Sequence, residues 1–220
     1  MAAAPVASVP SPPRALMLAA APARIRERLR LLFALDDRLA GIVRHTREPM
    51  VGQMRLTWWH DALVRLDTEP APAEPLLQAV QADLLMHGVS GVALAGPIDG
   101  WEELIVADTL DAEALLRHAD LRGGRLFALA AALSGGDSPL LAAAGRGWAL
   151  ADLAAHLSTP AVAQTAAGLA DAAFEQAFSA RWPASLRPIA LLSLIARLDS
   201  APGSPVGKAL RVARFRLTGR

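Results

Sequence analysis

An all-α fold is predicted by three observations. Apolar residues make up 53% of the 220-residue chain while aromatics reach only 5%, so the hydrophobic content is mostly Ala, Leu and Val, a mixture that favours helices over strands. Apolar positions recur at helical spacing, and no fixed-period repeat suggests a solenoid. Prolines gather where segments begin, and the first turn of a helix tolerates them because its N–H groups have no intrahelical partner.

The length does not demand two domains, since one core at this size buries about 70% of the unfolded surface. The expected organisation is a loosely held segment at residues 1–22 followed by one helical domain over 23–220. Pro5, Pro10, Pro12, Pro13 and Pro22 interrupt the Ala-rich start, which therefore reads as a disordered lead-in. It has neither the basic flank nor the unbroken apolar core of a secretory signal.

From there the elements follow in order. Ala23 to His45 is a long helix whose stripe is Ile25, Leu29, Leu32, Phe33 and Leu39. Glu48-Pro49 opens a second helix, which ends before the linker Thr68 to Pro72. Pro75 to Met86 is a third, with Leu76, Leu77, Val80 and Leu84 inward and Gly88 placed to stop it. The Gly- and Val-containing stretch 88–100 suits loop or a short helical turn. Helices are expected over Trp101–Leu110 and, capped by Asp111, over Asp111–Leu133, with a kink or a close helix contact at Gly123-Gly124. Ser138-Pro139 supplies a cap and a first-turn proline for a helix reaching Leu157. Shorter helices are expected over Pro160–Ala167, Asp171–Ala180, Pro183–Leu198 and Val206–Leu217.

Charge and composition narrow the function. With 22 basic and 21 acidic residues the net charge is +1, which gives no footprint for a nucleic-acid partner. The chain has no cysteine, which removes disulfides, thiolate nucleophiles and Cys-ligated metal and fits a cytoplasmic, reducing location. No run approaches the roughly 20 apolar residues that span a bilayer. The last helix carries Lys208, Arg211, Arg214, Arg216 and Arg220, a solvated face or a peripheral contact with anionic lipid.

One block is more specific than the rest: Glu48-Pro49-Met50-Val51-Gly52-Gln53-Met54-Arg55-Leu56-Thr57-Trp58-Trp59-His60-Asp61-Ala62-Leu63. Together with Leu31-Leu32-Phe33-Ala34-Leu35, Arg122-Gly123-Gly124-Arg125-Leu126-Phe127, Ala144 to Leu150 and the stretch 186–198, it resembles the squalene/phytoene synthase family. The resemblance implies an antiparallel helix bundle of the isoprenoid synthase type around a central cavity. It further implies head-to-head condensation of two prenyl diphosphates, with Mg²⁺ held by two Asp-rich motifs on facing helices. A departing diphosphate needs that divalent charge.

The acids that this chemistry requires are missing. Aligned on Leu32 to Leu35, the first motif falls on Ala40, Gly41 and Arg44, none of them acidic. Asp36 and Asp37 lie a turn earlier, about 100° apart, and read as solvated surface charge. The second motif is reduced to Asp152, with His156 four residues on. Lacking a third ligand, that pair reads as an ordinary helix hydrogen bond more readily than as a shared metal site. The family's basic stretch beyond is absent.

The candidate residues for a substrate or lipid pocket are Arg44, Arg55, Trp58, Trp59, Arg146, Trp148, Asp152 and His156; no residue is put forward as catalytic or metal-binding. Arg55 and Arg146 suit a diphosphate or, equally, a structural ion pair with Glu48 or another acid. Of the two tryptophans, one is expected in the core and the other over a neighbouring helix, with cavity lining as the alternative. The expectation is therefore a catalytically silent member, similar to the family's respiratory complex I assembly branch, that binds a partner protein or an isoprenoid-like lipid and needs no cofactor. The alternative is an Mg-dependent prenyl transferase, alone or in a heteromer.

Overall fold

A computed structural model describes residues 10–220, and among them every regular element is helical. The expected all-α class is what the chain adopts. The helices are α1 (Pro12–Ala20), α2 (Ala23–His45), α3 (Pro49–Arg65), α4 (Pro75–Asp83), α5 (Gly91–Ala95) and α6 (Pro97–Val106), then α7 (Ala112–His118), α8 (Arg125–Leu133), α9 (Leu141–Ala154), α10 (Pro160–Ala177), α11 (Arg187–Ser200) and α12 (Pro205–Thr218). A π-helical segment, Ala119–Gly124, joins α7 to α8 without a break.

α9 is the centre of the bundle. It is buried on almost every side, through Ala143, Ala144, Trp148, Ala149, Leu150 and Leu153 among others, as a helix must be when partners surround it. Those partners are α8, α10, α11 and the π segment. α2 runs along the other side of the cavity, against α1, α3, α4, α6 and α8, and its Leu29, Leu32 and Leu39 are at most 1% exposed. Each such leucine contributes about 1.5–3 kcal/mol by leaving water. No helix of the described residues is long and apolar enough to cross a membrane.

Several boundaries match the sequence expectation for the stated reasons. α2 has the expected ends. Asp111 caps α7, its Oδ1 accepting from the Ala114 N–H at 2.9 Å. Gly88, at φ +82°, stops the 3₁₀ turn that follows α4.

Other boundaries are corrections. The lead-in expected over 1–22 is helical from Pro12: its prolines occupy the first turn, and Arg14, Met17, Leu18 and Ala21 make a buried stripe against α2 and α11. The part of that lead-in at residues 1–9 lies outside the described residues. α6 starts at Pro97 rather than Trp101, because the proline fits its first turn. The helix expected to be capped at Ser138 begins at Leu141, and Ser138 Oγ instead accepts from Leu140 N in the preceding turn. Residues 160–177 form one helix instead of two pieces. Its inward face, Ala166, Ala170, Ala173, Phe174 and Ala177, is continuous across Gly168 and packs on α9.

The π segment is held between two close backbone contacts. A Cβ on Gly123 would lie 2.1 Å from the Gly145 carbonyl oxygen on α9, and one on Gly145 would lie 2.2 Å from the Gly123 oxygen. On the opposite side a Cβ on Gly100 of α6 would meet Arg122 N at 2.4 Å. The expected close contact at Gly123-Gly124 is therefore real, and it takes the form of a widened turn. That turn projects Arg122 into the middle of the bundle.

Candidate functional site

Arg122 is 1% exposed, which a guanidinium tolerates only if every face of it is occupied. Its Nε and Nη2 donate side by side to the two carboxylate oxygens of Asp36 on α2, both at 2.9 Å. Its Nη1 donates to Asp152 Oδ2 on α9 at 2.8 Å. The flat faces lie 4.0 Å from the Trp101 ring centre and 4.6 Å from that of Trp148, so the cation is clasped between two indoles.

Asp36, at 1% exposure, is the other half of this centre and contradicts its reading as solvated charge. Besides the fork from Arg122 it accepts from Arg14 Nη2 at 2.9 Å and from Trp101 Nε1 at 3.2 Å. Burial by itself would push its carboxyl up, but the charge and hydrogen bonds of Arg122, then Arg14, hold it down at about 2. Asp152 follows the same pattern. Burial would raise it, and Arg122 outweighs burial and keeps it below the usual carboxylate range. Asp37 is partly exposed and paired with Arg14, yet burial prevails and raises it.

Above this centre lies a cavity of about 610 Å³ bounded by α1, α2, α9, α10, α11 and Arg122. Its width comes from small side chains, including Ala40, Ala151, Ala155, Ala167 and Ala196. Four of the eight sequence candidates line it: Arg44, Trp148, Asp152 and His156. Arg44 reaches Asp152 Oδ2 at 3.3 Å, and His156, just beyond α9, has Nδ1 2.6 Å from the Asp152 main-chain carbonyl and 3.8 Å from Asp152 Oδ1.

The other four are elsewhere. Arg146 is tied to Asp120 at 2.7 Å, a structural ion pair. Arg55 is exposed and donates to Thr46 Oγ1 at 3.4 Å. Trp59 is buried at 6% exposure beneath Arg38, and Trp58, 46% exposed, stands edge-on to it. Neither ring lines the cavity.

Sequence reasoning did not single out Arg14, Trp101 or Arg122 as site residues, and it read Asp36 as solvated charge. The signal for Arg122 present in the chain was an arginine directly before two adjacent glycines within a helical stretch. Arg14 was hidden among prolines.

A divalent cation does not fit this donor set. Asp36, Asp37 and Asp152 are each ion-paired with Arg14, Arg44 or Arg122, and the lining adds one further carboxylate, Asp199. Among the described residues no group of three His, Asp or Glu side chains is placed to hold a metal. Mg²⁺ needs several free anionic oxygens around an octahedron, and here the two facing helices spend theirs on an internal guanidinium.

His118, fully buried beside this centre, has an unusual proton balance. Its Nδ1 donates to the Gly100 carbonyl at 2.6 Å, its ring meets Trp101 edge-on, and Nε2 has no partner. Burial, reinforced by the charge of Arg122, lowers its pKa from the ordinary 6.5 to about 4. The unfolded chain thus binds the proton more readily. The contribution is complete above pH 6.5 and is lost as pH falls toward 4, amounting to about 3 kcal/mol. Urea denaturation of His118→Phe is expected to lack most of that slope.

The squalene/phytoene synthase family model matches residues 9–159. No curated protein and no solved structure matches the chain. The match contains α1 to α9, with both carboxylates that meet on Arg122, and it ends where α10 begins, so the likeness noted at 186–198 lies outside it. A helical bundle, a cavity between facing helices and a match over more than half of the sequence lead to one conclusion: the chain belongs to the squalene/phytoene synthase family.

Proposed function

We propose that the protein works by binding rather than by prenyl transfer, holding an isoprenoid-like lipid in the alanine-walled cavity. One observation carries this reading. Asp36 of α2, buried beneath the cavity, and Asp152 of α9, in its lining, are both paired with Arg122, so a guanidinium occupies the electrostatic role that a metal would need to fill. Asp36, Asp37 and Asp152 are each paired with a guanidinium, which leaves Asp199 as the one other carboxylate of the cavity lining. Such a site has little to attract a diphosphate with its metal ions, whereas its apolar walls favour the hydrocarbon part of a prenyl ligand. The role that fits a silent member is support of another protein's assembly, as in the complex I assembly branch that the sequence resembles.

Incubation with Mg²⁺ and farnesyl or geranylgeranyl diphosphate is expected to release no diphosphate, and sustained release rejects the binding reading in favour of the transferase. Prenyl alcohols at about a hundred times their Kd are expected to raise the melting temperature by roughly 5–10 °C. A melt unmoved by any prenyl ligand points to a protein partner as the occupant.

A further inference from the structure

The last helix presents a face that the rest of the fold does not use. α12 packs on α11 through Phe215, which is 2% exposed and meets Phe178 edge-on at 5.8 Å. On the opposite side Val206, Leu210 and Leu217 are 69%, 66% and 79% exposed. Spacings of four and seven residues align them in one stripe, about 180° round the helix from Phe215.

Cations flank that stripe without partners. Residues 200–220 hold Lys208, Arg211, Arg214, Arg216 and Arg220 and no acidic side chain, in a chain whose net charge is +1. Most arginines elsewhere are paired with acids, including Arg14, Arg38, Arg117, Arg122 and Arg146. Among the described residues none of these five forms an ion pair. On the flank of α12 between that stripe and Phe215 is a groove of about 540 Å³, floored by Phe178, Leu194 and Phe215 and edged by Arg197, Arg211 and Arg214.

We propose that α12 is a docking surface for an anionic lipid bilayer. The helix lies flat, with Val206, Leu210 and Leu217 entering the boundary between headgroups and acyl chains, while Arg211, Arg214 and Arg220 take lipid phosphates at the mouth of the groove. Charge complementarity selects this occupant: an apolar line bordered by unpaired guanidiniums is what a helix needs to rest in a negatively charged interface. Arg187 and Arg181 hold the carbonyls of Leu217 and Thr218 at 2.8 and 2.6 Å, which fastens the end of the helix to the body. The contact is a surface one and does not depend on what the central cavity binds.

The test is flotation of the full chain with vesicles of phosphatidylcholine alone or mixed with phosphatidylglycerol. Binding is expected only to the mixed vesicles and should weaken with added salt. Arg211→Ala/Arg214→Ala/Arg220→Ala is expected to lower partitioning by about 100-fold, and the corresponding triple Lys variant should retain it. Leu210→Ser/Leu217→Ser is expected to lose binding with unchanged circular dichroism, because both positions are solvent-facing. Equal binding to neutral vesicles, a triple Ala variant that floats like the parent, or no flotation with either vesicle overturns the proposal. The last result would leave the stripe to a soluble protein.

Discussion

Replacement of Arg122 by methionine is expected to destabilise the protein by about 3–5 kcal/mol, because it strands Asp36 as an uncompensated charge in the interior. The parent carboxylate accepts two bonds from Arg122 and is 1% exposed, so the remaining partners, Arg14 and Trp101, cannot offset its burial. The pH dependence gives the mechanism away. In the parent, Asp36 has a pKa depressed to about 2, and its contribution is present above the unfolded value and lost as pH falls through that range. In Arg122→Met, burial prevails and the carboxyl rises, so protonation relieves the strain. The stability gap between variant and parent is therefore expected to narrow on acidification, measured by urea unfolding at several pH values. The double variant Asp36→Leu/Arg122→Met is expected to lie closer to the parent than Arg122→Met does, since removing both charges avoids the stranded one. A gap that stays constant with pH would show that Arg122 acts through packing alone.

Two adjacent glycines are expected to give opposite results. Gly123→Ala places its Cβ 2.1 Å from the Gly145 carbonyl oxygen, a contact with backbone that no rotamer can relieve. α9 and the π segment must separate, which costs about 3 kcal/mol or more and draws Arg122 away from Asp152. Gly145→Ala meets the same obstacle from the other helix, at 2.2 Å from the Gly123 oxygen. Gly124→Ala has nothing within 4 Å of its Cβ, and there the gain in helix propensity should leave stability unchanged or raise it by up to about 1 kcal/mol. Denaturant midpoints of the three variants check this directly. Similar losses at Gly123 and Gly124 would mean that the close crossing of the two segments is not what holds Arg122 in place.

Why some of this was legible in the chain and some was not follows from the range of the forces involved. Helix class, the limits of α2 and the cap at Asp111 depend on periodicity and on groups a few residues apart, so they could be read directly. The family was legible because the Glu48 to Leu63 block is a local pattern. The eight pocket candidates were chosen as residue types, and only four of them, on α2, on α9 and just beyond the end of α9, line the cavity. Arg55 and Trp58 point elsewhere because α3 turns their side to solvent. Arg146 finds Asp120 across a helix crossing that no spacing within one helix encodes.

By itself the amino-acid sequence determined that the chain would be a helical bundle of this family, and that both expected clusters of aspartates would be broken. Only the tertiary structure decided what the surviving carboxylates do. Asp36 and Arg122 are separated by 86 residues, and whether an acid on a helix face is solvated or buried depends on which cation the packing delivers to it. That delivery rests on the approach of Gly123 to Gly145 and of Gly100 to Arg122, a backbone geometry created by the assembled helices together.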